Sequence, residues 1–152
     1  EALVRARAEE GARIGEVLAA QLGRVAAIAA EARSLASLAP DAVKQRLADQ
    51  VAKLVEASSA LSPERLHLEA ALLAAKADVT EELDRLDAHV AQARELLASG
   101  EPSGRRLDFL CQEFTREANT LCSKSFDIKL TRLGLDLKAV IEQFREQVQN
   151  VE

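Results

Sequence analysis

The chain has no tryptophan, tyrosine or methionine, and its four phenylalanines make up the whole aromatic share of 3%. Apolar content of this kind, mostly alanine, leucine and valine, excludes an aromatic-rich sheet core and favours helices joined by shallow seams. Only three prolines and six glycines interrupt 152 residues, so turns are few and elements are long. No run of about 18 apolar residues occurs, which excludes a membrane-spanning helix. No charged-then-apolar leader opens the chain either, so no secretory signal is expected. There are two cysteines, Cys111 and Cys122. On one helix their spacing corresponds to roughly 16 Å of rise, too far for a disulfide, and both fall on an apolar stripe. They read as buried thiols of a protein in a reducing cytoplasm. A net charge of −5 argues against indiscriminate nucleic-acid binding but leaves room for a local basic patch.

What the sequence does hold is 48% hydrophobic and 30% charged residues, the balance of a soluble chain with something to bury. Its length suits one domain with a modest core or an elongated helical piece. Pro40 in LAPDAVK and Ser62 followed by Pro63 in LSPERL mark helix starts, and ASGEPSGRR (98–106) is the clear loop. The punctuation predicts helices over 2–38, 41–58, 63–98, 104–122 and 128–150, with no strands. In the third, Leu68, Leu72, Ala75, Val79, Leu83, Leu86, Val90, Ala93 and Leu97 form one stripe about 80° wide. The fourth should bury Leu107, Leu110, Cys111, Phe114, Ala118, Leu121 and Cys122. For the fifth, the buried set is Leu130, Leu133, Leu137, Val140, Ile141, Phe144, Val148 and Val151. The fold class is therefore all-α, with long amphipathic helices in antiparallel hairpins or a bundle and surface left for partner subunits. Gly11, Gly15 and Gly23 each weaken the first helix by about 1 kcal/mol, so close packing or a local break is expected there.

Beside the third stripe, His67, Asp78, Glu81, Glu82, Arg85 and His89 share a face, with Asp78, Glu82, Arg85 and His89 stepping by one helical turn. Carboxylates beside an imidazole suit a divalent cation or general acid–base chemistry. A solvated face of ordinary ion pairs would use the same residues. The fourth helix adds Asp108, Gln112, Thr115, Arg116, Asn119 and Ser123 beside its own stripe, with Glu113, Glu117 and Lys124 on the neighbouring flank. Asn, Thr and Ser are mediocre helix formers. They fit a surface that hydrogen-bonds something fixed, either another helix or phosphate and sugar oxygens.

The same residues carry a resemblance. KADVTEELDRLDAH (76–89), GRRLDFLCQEFTREANTLCSK (104–124) and IEQFREQVQNVE (141–152) resemble the C-terminal half of the YicC family of bacterial endoribonucleases. EALVRARAEEGARI resembles that half's opening segment more weakly. Thr115, Leu68 and Phe126 depart from the family pattern, and His67 is not a family position. The resemblance implies 1–62 as a leading, linking helical region and 63–152 as the endoribonuclease part, with the family's N-terminal α/β domain absent. It further implies a cytoplasmic, metal-assisted RNase that assembles into a homo-oligomeric ring, a hexamer, acting on RNA without a membrane or small-molecule cofactor. On that reading Asp78, Glu82, Glu113 and Glu117 hold Mn²⁺ or Mg²⁺, and His89 joins Glu82, Glu113 and Glu117 in catalysis. Arg85, Arg116, Lys124, Asn119 and Gln112 would bind RNA. Cleavage through the RNA 2′-hydroxyl without metal fits the same residues, and a purely structural helical module fits them too. The scarcity of aromatics points to recognition by backbone and shape rather than by stacked bases.

Overall fold

Leucine and valine recur at three- and four-residue steps through most of the chain, and that period decides which faces meet. A computed structural model describes residues 1–37, 62–100 and 102–150, with isolated positions at 41, 45, 46, 48, 49, 52 and 53. Among the described residues the helices are α1 (Ala2–Ala36), α2 (Pro63–Lys76), α3 (Thr80–Ala98), α4 (Gly104–Lys124) and α5 (Ile128–Val148). No strand occurs among the described residues. The helix expected over 41–58 and the buried position expected at Val151 lie outside or largely outside the described residues.

Four helices close a bundle in which α1 packs on α3 and α5, and α4 packs on the same two. Short connections run α3 to α4 and α4 to α5, so sequential helices are antiparallel, and α1 completes the ring. Arg33, near the end of α1, pairs with Asp84 and Asp87 at the start of α3, both at 2.9 Å, which fixes the antiparallel sense of that contact. Gly100, at φ +68°, turns the α3–α4 loop in a conformation that favours glycine. The core joins Leu18, Leu22, Val25, Ala29 and Ala32 of α1 to the stripes of α3, α4 and α5. Phe114 and Phe144 meet edge to face near its centre, with ring centroids 6.1 Å apart. The stripes expected for α4 and α5 are buried, apart from half-buried Cys122.

The single helix expected over 63–98 is two. Ser62 caps α2 as the sequence suggested, its Oγ accepting from the Arg65 N–H at 3.3 Å. The chain then breaks at Ala77–Val79, because the Asp78 carboxylate accepts from the Thr80 N–H at 2.9 Å. A short acid that bonds its own backbone two residues on competes with helix continuation and starts α3 afresh. The break ends the long stripe. Leu68 and Leu72 are exposed, and burial runs from Val79 through Leu83, Leu86, Val90 and Ala93 to Leu96, with Leu97 only partly covered. Gly11, Gly15 and Gly23 cause neither a break nor a close approach: α1 is continuous, and nothing lies within 4 Å of a Cβ added at any of them.

Candidate functional site

Helices α3 and α4 run antiparallel, and each presents a polar flank to the other beside its buried stripe. On α3 the flank carries Glu82, Arg85 and His89, spaced at successive turns. On α4 it carries Glu113, Glu117 and Lys124. Glu82 and Glu117 are the charged side chains buried most deeply among the described residues. Buried carboxylates need partners, and the cleft supplies them. Arg85 grips Glu117 through two parallel bonds, Nε to Oε1 at 2.8 Å and Nη2 to Oε2 at 2.9 Å. Its Nη1 reaches Glu81, and Nη2 also approaches Glu82 Oε1 at 3.4 Å. Donating to the Glu117 carboxylate holds the Arg85 guanidinium charged beyond its ordinary range. Lys124 Nζ closes the far end, 2.9 Å from Glu82 Oε1 and donating to the Asp78 carbonyl at 3.1 Å.

One turn further along α3 the balance changes. His89 Nε2 is buried and has no hydrogen-bond partner. The imidazole lies edge to face with Phe114 at 6.0 Å, which fixes its plane against the core. Its ligand nitrogen and one oxygen each of Glu113 and Glu117 lie within 4.8 Å of one another. One imidazole and two carboxylates at that mutual distance suit a divalent cation at bond lengths of about 2.0–2.2 Å. Glu113 sits at the solvent edge of this group, with Arg116 Nη1 3.8 Å away and well exposed.

The structure thus gathers Glu82, Arg85, His89, Glu113, Glu117 and Lys124 in one cleft and leaves other expected residues outside it. Asp78 precedes α3 instead of lying on it. Its carboxylate is occupied by Thr80, whose hydroxyl and backbone N–H hold it below the ordinary carboxylate range. Glu82 faces Lys124 and Arg85 and is not part of the three-residue group around His89. Gln112 and Asn119 fall on the other flank of α4: at 100° per residue, Asn119 points about 160° away from Glu117. Gln112 donates to Asp108 at 3.2 Å, and Asp108 approaches Arg145 at 3.8 Å. The small hydroxyls of α4 bond their own helix. Thr115 donates to the Cys111 carbonyl at 2.8 Å, Thr120 to Arg116 at 3.1 Å and Ser123 to Thr120 at 2.9 Å. This back-bonding explains residues that seemed to demand an external partner.

The pairing of a half-buried imidazole, its Nε2 without a partner, with two carboxylates across α3 and α4 falls inside the segment that comparison with known proteins identifies. Residues 32–152 match the family model described as endoribonuclease YicC-like, C-terminal. The chain belongs to the YicC-like endoribonuclease family. It is similar to a protein named probable endoribonuclease YicC from Haemophilus influenzae, 38% identical over 146 residues, covering 96% of this chain and 50% of that protein. A protein of the same name from Clostridioides difficile is 34% identical over 146 residues with the same coverage. The chain spans about half the length of the curated relatives it matches. One surface residue of this YicC-like chain escaped the sequence reading: Phe109 is 58% exposed on α4, one turn before Glu113. Its position nearly opposite the α4 stripe, among Arg105, Arg106 and Gln112, was the available signal.

Proposed function

We propose that the α3–α4 cleft cleaves phosphodiester bonds in RNA and that His89, Glu113 and Glu117 hold a divalent cation there. The observation that carries this reading is His89, whose Nε2 is buried without a partner and whose imidazole offers a ring nitrogen within 4.8 Å of an oxygen each of Glu113 and Glu117. A protein does not leave a buried nitrogen bare without a reason, because its desolvation costs roughly 1–3 kcal/mol. The family description and the names of both relatives support RNA as the substrate. A divalent cation, when bound, supplies Lewis acidity toward a phosphate oxygen.

The chain's own residues divide the remaining work. Glu117 is held in one orientation by the Arg85 fork, so its oxygens need no rearrangement to serve as ligands. Phe114 fixes the His89 ring. Arg116 stands free enough, 74% exposed, to meet a substrate phosphate at the mouth of the cleft. Arg85 and Lys124, expected from the sequence to neutralise phosphate, are committed to carboxylates, so they act as positioning residues. The oligomeric ring, cytoplasmic location and choice of Mn²⁺ or Mg²⁺ that the resemblance implies belong to this proposal as well.

A second reading is favoured by the same bare nitrogen. His89 could move a proton directly in an attack by the RNA 2′-hydroxyl, with no cation involved. Full-length protein assayed on single-stranded RNA with Mn²⁺, and again after chelation, separates the two. Under the first reading chelation stops cleavage, and Glu113→Gln or His89→Ala abolishes both cleavage and calorimetric Mn²⁺ binding. Cleavage that survives chelation but not His89→Ala selects the second. No cleavage by full-length protein under any condition refutes both.

A further inference from the structure

Phe109 is the exposed aromatic of a chain that has almost none, and it stands on the cleft side of α4. Its side chain is 58% exposed, while Phe114 of the same helix is fully buried. Helical geometry places Phe109 one turn, about 6 Å, before Glu113 on the same edge of α4. Its neighbours at three, four and seven positions are Arg105, Arg106, Gln112, Glu113 and Arg116, all polar. Arg105 and Arg106 are exposed and have no ion pair among the described residues, and Arg116 reaches only Glu113, at 3.8 Å. Three guanidiniums within twelve residues therefore form a basic patch on a chain whose net charge is −5.

A protein partner docking through apolar contact would find no second exposed apolar side chain on this edge of α4, whereas such surfaces are contiguous. A flat ring ringed by guanidiniums instead matches the two features of single-stranded nucleic acid, a π-face on each base and a charge between successive bases. We propose that Phe109 is a stacking platform for the RNA base adjoining the cleaved linkage, with Arg105, Arg106 and Arg116 holding the flanking phosphates. The proposal rests on the endoribonuclease reading for its substrate, and it revises the expectation that this half of the protein leaves bases unstacked.

The test exploits the absence of tryptophan from the chain. The indole introduced by Phe109→Trp reports stacking through fluorescence quenching. The probes are a single-stranded 2′-O-methyl oligoribonucleotide, which cannot be cleaved through its 2′-oxygen, and an inorganic polyphosphate of matching charge. The oligonucleotide should quench saturably and the polyphosphate should not. Phe109→Leu should weaken oligonucleotide binding roughly 5- to 100-fold, the loss expected for one stacked base. Arg105→Ala and Arg106→Ala should instead lower the salt dependence of binding. Equal quenching by both probes, or unchanged affinity in Phe109→Leu, overturns the proposal. So does a Phe109→Leu variant that loses self-association in light scattering while binding RNA normally, which would make the face a protein contact. Stacking without cleavage of ordinary RNA would refute the hydrolytic reading and leave the subsite standing. Cleavage with an unchanged KM in Phe109→Leu would do the reverse.

Discussion

Removing the Arg85 guanidinium would leave the Glu117 carboxylate, 2% exposed, without the bonds at 2.8 and 2.9 Å that hold both its oxygens. Truncating one partner of a buried ion pair costs about 3–5 kcal/mol, because the surviving charge stays buried and unpaired. The Arg85 side chain is itself 38% exposed, so water can enter the space it leaves and soften that penalty. The Glu81 contact adds little, since Glu81 is largely in solvent, and Glu82 retains Lys124 at 2.9 Å. Arg85→Ala should therefore cost about 2–4 kcal/mol, roughly 1 kcal/mol less than a pair broken out of reach of water. In a chain of this size that lowers the melting temperature by roughly 5–15 °C.

Urea unfolding followed by circular dichroism at pH 7 measures the loss directly. Glu117→Gln and the double variant complete a cycle. Because the two side chains touch, the double variant should lose about 1–3 kcal/mol less than the sum of the singles. An Arg85→Ala variant within about 0.5 kcal/mol of the parent would refute the argument, since that is what an exposed ion pair contributes.

Four further outcomes follow from packing and burial. Gly134→Ala should destabilise by about 1–3 kcal/mol, because the added Cβ would lie 2.4 Å from Cys122 Sγ. Cys122→Ala in the same chain should recover most of that loss in a thermal melt. Gly23→Ala should do the opposite and stabilise by about 1 kcal/mol, since α1 is regular there and nothing stands within 4 Å of the new methyl. Burial pushes the Cys111 thiol up to about 12. Its protonated form is thus retained in the folded chain after an unfolded thiol, near 8.5, has ionised, so stability should fall as pH rises above about 8.5 and be insensitive to this group below. Native alkylation at pH 8 should label half-buried Cys122 well before Cys111. Equal labelling would contradict the burial.

The helical class and the packing of α4 and α5 were legible because a narrow apolar stripe leaves one way to bury itself. The proximity of His89 to Glu113 and Glu117 followed from the same geometry: each lies just beside a stripe, and antiparallel stripes bring their adjacent flanks together. Three things were hidden, each for a local reason. The leucine period of 68–97 runs unbroken through Asp78, and only the bond from Thr80 N–H shows that the helix does not. Polar type alone could not distinguish hydroxyls that bond their own helix from hydroxyls that bind a partner, as Thr115 and Ser123 illustrate. Cationic type could not distinguish a guanidinium free for phosphate from one already spent on acids. Arg116 and Arg85 look alike in the sequence, yet one is 74% exposed and the other touches three carboxylates.

That last distinction divides the cleft and governs how its variants must be read. At the end near the α2–α3 break, Glu82, Arg85 and Lys124 neutralise one another in a network whose members are mutually satisfied, apart from Glu82 Oε2. Around His89 the groups are not satisfied by one another, and Glu113 opens to solvent. Glu117 belongs to both ends, paired with Arg85 and facing His89. Changing Glu82 or Arg85 unsettles the wall of the cleft along with anything it catalyses, so lost activity in those variants confounds stability with chemistry. Glu113 is the informative position. Partly exposed and paired only distantly with Arg116, it can become glutamine at little cost to the fold. A loss of cleavage in Glu113→Gln with an unchanged melt would therefore belong to the chemistry of the site.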